Sequence, residues 1–143
     1  MSVGKRSKRD VNKNRKTVFK RDNYTCVVTG SEYEYTWGCY GIPTIQHRVT
    51  RGMGGSNAHD EPRDLVTMCA YHNQLETMSA TFRRVCELSG WSVRRSMASQ
   101  WPLNRVPVLY GSDWFLLDGD ARFLIPDEVA VELIEEMYDS KHF

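Results

Sequence analysis

Between residues 44 and 88 the hydrophobic period of the chain changes from that of a strand to that of a helix, and few folds accommodate the change. Residues 44–50 alternate Ile45, His47 and Val49 with Gln46, Arg48 and Thr50, which predicts a half-buried strand. Residues 52–63, opening on Gly52-Met53-Gly54-Gly55, are a loop by composition. Residues 64–69 carry Leu65, Val66 and Met68 and predict a second short strand. Residues 70–88 then lack both Pro and Gly, and Leu75, Met78, Phe82, Val85 and Leu88 recur at helical spacing until Gly90 ends the run. A strand, a loop, a strand and a helix thus follow in order.

The flanks differ sharply in charge. Residues 1–21 hold nine Lys or Arg against Asp10 alone, a local charge of +8, and from Asp113 onward nine acids face only Arg122 and Lys141. Residues 1–16 have almost no apolar side chains and are predicted to be a disordered arm whose Lys5, Arg6, Lys8, Arg9, Lys13, Arg15 and Lys16 bind DNA phosphates. A short helix over residues 18–22 and an extended segment over 24–29 should follow. Tyr33, Tyr35, Trp37 and Tyr40 are expected to pack beneath a long loop. After an irregular stretch, residues 108–110 and 114–117 predict strands. Asp118-Gly119-Asp120 should turn the chain into a hairpin with residues 122–125. Pro126 then starts an amphipathic helix over 127–138 with Val129, Leu133, Ile134 and Met137 inward.

With 41% hydrophobic residues in 143, one core is supportable and two would each be marginal. No apolar run is long enough to span a bilayer, and no apolar segment follows the basic N-terminus, so an intracellular protein without a membrane partner is expected. Cys26, Cys39, Cys69 and Cys86 are irregularly spaced, which points to reduced thiols, metal ligands or core filler rather than disulfides.

His72 and Glu76 stand four apart on the predicted helix and can converge on one divalent ion. Such an ion would serve phosphodiester cleavage, with His47 as a neutral imidazole base and Arg48 and Arg51 on flanking phosphates.

These residues resemble the HNH endonucleases. The similarity runs through Phe19-Lys20-Arg21-Asp22-Asn23-Tyr24-Thr25-Cys26, Ile45-Gln46-His47-Arg48, Arg51-Gly52-Met53-Gly54-Gly55, Asp64-Leu65 and Cys69-Ala70-Tyr71-His72. The tail, with Gly90-Trp91-Ser92-Val93 and Trp114-Phe115-Leu116-Leu117-Asp118, resembles small HNH proteins of bacteriophages of actinobacteria.

The resemblance implies an α+β fold: a ββα-metal core at about residues 42–89, then an extension over about 90–143 with a β-hairpin and a closing amphipathic helix, all one domain from residue 17. It implies a metal-dependent DNA endonuclease in a bacterial host cytoplasm. His47 would be the base, Asp64 would orient it in place of the family's Asn, and Gln46, His72 and Glu76 would be ligands of one ion. Magnesium is the expected ion, with manganese, nickel or zinc admitted by the imidazole.

The chain departs from the family at its structural zinc. The two Cys-x-x-Cys pairs are broken at Thr29 and Tyr71, so no structural zinc is expected. A second alignment makes Cys69-x-x-His72 a zinc half-site completed by Cys26 and Cys39, although that leaves Glu76 unexplained. The protein would then be a zinc-stabilised DNA-binding module. A third reading keeps the fold without the activity, as a packaging accessory.

Overall fold

The computed structural model describes residues 8–50 and 60–139. The fold is α+β.

The first helix, α1, spans Lys8–Arg21 and so begins inside the segment predicted to be disordered. Val11, Asn14, Arg15 and Val18 share one face at helical spacing. Val18 is fully buried with Ile45 and Leu65. Tertiary packing therefore orders what composition alone would leave loose. Asn23 and Tyr24 end the helix in the left-handed region (φ +54°), and the Tyr24 ring stacks on Phe19 at 5.5 Å.

Tight turns follow in place of the expected extended segment. The Thr29 amide donates to Cys26 (2.9 Å) and that of Ser31 to Val28 (3.0 Å).

Strands β1 (Pro43–His47) and β2 (Leu65–Cys69) pair antiparallel, with Pro43 opposite Cys69 and His47 opposite Leu65. Helix α2 (Ala70–Met78) leaves β2 without a loop. The long helix predicted over 70–88 is two helices. Ser79 has extended backbone, ending α2, and its hydroxyl accepts from the Phe82 amide to start α3 (Ala80–Leu88).

A short α4 (Arg95–Ala98) precedes a three-stranded antiparallel meander of β3 (Val108–Tyr110), β4 (Asp113–Asp118) and β5 (Ala121–Ile125). Helix α5 (Asp127–Asp139) closes the fold with Ala130, Ile134 and Met137 inward, whereas Val129 faces solvent.

One apolar cluster gathers Val27, Val66, Met68, Phe82, Trp91 and Leu117. A second joins Val49, Val93, Met97 and Val106 to α5. Gly90 lets α3 approach the meander: its φ is +76°, and a Cβ there would lie 1.8 Å from the Pro107 carbonyl oxygen.

Buried polar groups bind these parts together. Arg21 donates to the Pro62 and Leu65 carbonyls and to Asp22, which accepts from the Tyr110 hydroxyl and the Thr67 amide. Arg48 is 1% exposed and donates to the carbonyls of Gly90, Arg63, Leu103 and Val106 at 2.8–3.1 Å. Burial pushes its pKa down to about 10. Its assignment as a DNA contact is corrected: the guanidinium is a strut between backbone segments, with no face left for a phosphate.

Candidate functional site

The two ends of the β1–β2 hairpin carry different chemistry. At the Cys69 end, Cys26 from the turns after α1, Cys39 from the loop before β1, Cys69 from the end of β2 and His72 from the first turn of α2 converge. Their ligand atoms all lie within 4.8 Å of one another. His72 Nδ1 stands 3.1 Å from Cys69 Sγ, 3.4 Å from Cys26 Sγ and 3.9 Å from Cys39 Sγ.

The other ring nitrogen decides what Nδ1 can do. His72 Nε2 lies 2.7 Å from the Trp37 carbonyl, which can only accept, so the proton is on Nε2 and Nδ1 presents its lone pair to the thiols. Burial holds the imidazole pKa below its ordinary value against the opposing pull of that carbonyl, keeping the ring neutral. A carbonyl behind a ligating imidazole is the usual device for aiming it at a metal. Phe82 stacks on the ring at 5.2 Å and Trp37 packs edgewise on Phe82, so the cluster has an aromatic wall. The Tyr40 amide donates to Cys69 Sγ (3.4 Å). Burial pushes the Cys26 and Cys39 thiols up, so they are neutral until a cation replaces their protons.

Four ligands of this kind suit a closed tetrahedral metal site. The His72–Glu76 ion pair of ligands expected from helical spacing does not form. His72 has both nitrogens engaged in the cluster and its carbonyl. Glu76 Oε2 instead accepts from Ser92 Oγ (2.7 Å) and lies 3.6 Å from Arg83. Gln46 is buried too, its amide donating to Ser92 Oγ (3.3 Å) and the Trp91 carbonyl (3.4 Å). The predicted trio therefore does not fit a catalytic divalent ion.

The broken Cys pairs are made good from elsewhere. Cys39 comes in beside Thr29, 3.3 Å from its hydroxyl, and His72 itself stands three residues after Cys69, where the second ligand of that pair belongs, so the structural zinc that the sequence argued against has a donor set. The Cys69-x-x-His72 spacing was a visible signal, whereas no local pattern marks Cys39.

At the other end of the hairpin, His47 ends β1 with its side chain 29% exposed, and its Nε2 lies 3.3 Å from Asp60 Oδ1. Asp60 was missed, because it falls in a stretch that reads as loop. Asp64 caps the turn before β2, its carboxylate accepting from the Glu61 amide (2.9 Å) while its carbonyl accepts from the Arg48 amide (2.9 Å). It holds this loop end, and the carboxylate that stands beside His47 is that of Asp60. Asn73, beside His72, donates to Ile45 O (2.9 Å) and Thr44 Oγ1 (2.8 Å), tying α2 to β1.

A cavity of about 100 Å³ opens beside His47, walled by α1 through Val11, Asn14 and Arg15 and by Asp60. Lys8, Arg9, Lys13 and Lys16 are exposed along α1. Lys5, Arg6 and Arg51 lie outside the described residues.

Family models, curated proteins and solved structures were compared with the chain, and none matched. Among the described residues no helix is long and apolar enough to cross a membrane.

Proposed function

We propose that the chain is a DNA endonuclease of the HNH (ββα) type whose hairpin is held by a structural zinc on Cys26, Cys39, Cys69 and His72. Zinc fits the donor set of three thiols and one neutral imidazole, and a closed shell of four leaves it no open position for substrate. Its contribution is a cross-link between the turns after α1, the loop before β1 and the start of α2.

The observation that carries the nuclease reading is His47: a partly exposed imidazole on the first strand of a ββα unit, held by a carboxylate, beside a helix of exposed cations. A neutral His47 imidazole, its Nε2 3.3 Å from the Asp60 carboxylate, carries a lone pair that can accept a proton from water. Water gives its proton to His47 as its oxygen bonds to phosphorus, and one bridging P–O bond breaks, the leaving oxygen keeping the electron pair and taking a proton from solvent. The Gln46, His72 and Glu76 set does not fit the expected magnesium, so the roles of these three residues are structural.

Supercoiled and linear DNA incubated with magnesium, manganese, nickel or zinc tests this reading. Wild type should nick or cut, and His47→Ala should bind DNA without cleaving it. Equal cleavage by both proteins would sink the assignment.

One observation favours a second reading, the zinc-stabilised DNA-binding module: all three residues proposed for a catalytic ion are engaged elsewhere. DNA binding by wild type without cleavage under any ion would select it.

A further inference from the structure

Helix α1 has two polar faces with different surroundings. Arg9, Lys13, Lys16 and Lys20 line an open groove on one side together with Asn12 and Thr17. The other side carries Val11, Asn14, Arg15 and Val18 and packs on the hairpin. An inward helix face is ordinarily an apolar stripe, yet part-buried Asn14 interrupts this one and exposed Arg15 flanks it, and both line the cavity that contains His47. Asn14 Nδ2 donates to the Asp60 carbonyl at 2.9 Å, and Asp60 Oδ1 stands 3.3 Å from His47 Nε2.

We infer that α1 completes the reaction pocket: Arg15 binds the non-bridging oxygens of the scissile phosphate, and Asn14 is a positioning residue that sets Asp60 against His47. This rests on the nuclease reading and assigns to the N-terminal helix a part in the chemistry as well as in affinity. The groups lining the cavity, an Arg, an Asn and an imidazole beside a carboxylate, suit the phosphodiester backbone of the substrate. An Arg there neutralises charge that builds on the phosphoryl oxygens as the water attacks. The outer cations track neighbouring phosphates and act on affinity.

Steady-state cleavage of a short duplex separates the roles. Arg15→Ala should lower kcat about 100-fold, with partial recovery in Arg15→Lys, whereas Lys16→Ala should raise KM. Asn14→Ala should lower kcat about tenfold with KM unchanged, at unaltered metal content and thermal unfolding. A kcat for Arg15→Ala equal to that of wild type, with only KM raised, would overturn the proposal.

A second measurement does not depend on cleavage. Inorganic phosphate titrated into the full chain should shift the His47 ring resonances in wild type and not in Arg15→Ala. Absence of the shift in wild type would overturn the pocket even if His47 proves to be the base. If the shift is present and His47→Ala still cleaves, the phosphate pocket stands and the nuclease assignment falls.

Discussion

The two ends of one five-residue strand pair place a histidine each in opposite surroundings. At the Pro43–Cys69 end every reactive side chain faces another within the protein: three thiols, an imidazole aimed by a carbonyl, and an aromatic wall. At the His47–Leu65 end an imidazole held by a carboxylate faces a cavity and a cationic helix. Closure suits a cross-link, and a partly exposed imidazole suits proton transfer. Residue type alone does not separate the two, since each end has a histidine.

The largest effect that would break this comparison is removal of the metal. A chelator, or Cys69→Ser, should lower the thermal unfolding midpoint by ~10 °C or more. A midpoint insensitive to chelation would mean that the cluster is only buried thiols. Next comes Arg48→Met, which strands four carbonyl acceptors, three of them in buried contacts. It should cost about 3–5 kcal/mol in denaturant unfolding, and a near-neutral result with weakened DNA binding would restore Arg48 as a phosphate contact.

Smaller still is a pH effect on the far side of α3. Glu87 is buried with Arg94 at 2.8 Å and Arg84 at 3.4 Å. Burial alone would push its carboxyl up, but the two guanidiniums outweigh this and hold it below the ordinary range. A depressed carboxylate stabilises the fold above its unfolded pKa, and the gain is lost as pH falls through the folded value. Glu87→Gln should therefore unfold more readily than wild type at pH 7, with the gap closing below about pH 4. A gap constant with pH would assign the effect to packing.

Period and punctuation in the sequence mark the hairpin, the meander and the closing helix, because each buries one face of a regular element. Two departures came from tertiary structure. Ser79 divides the helix run while leaving the apolar spacing intact, because a capping hydroxyl does not disturb that spacing. The segment after Lys8 looks unfoldable by composition, yet Val11 and Val18 find partners on the hairpin.

The site was legible in part. His47 and the Cys69-x-x-His72 spacing could be read directly, but pairing His72 with Glu76 rested on helical spacing, which says that two side chains share a face and not what else reaches them. Cys39 and Asp60 come from loops, where no periodicity announces a contact. Arg48 shows the converse: a cation beside a candidate base resembles a phosphate ligand until its burial is known.

The central claim, that one hairpin end holds the fold and the other does the chemistry, is tested most directly by His47→Ala purified beside wild type. Metal content, thermal unfolding and cleavage of supercoiled DNA should be measured on the same preparations. The account predicts equal zinc content, an unfolding free energy within ~1 kcal/mol of wild type, and no cleavage. Undiminished cleavage by the variant, or loss of its zinc, would contradict it.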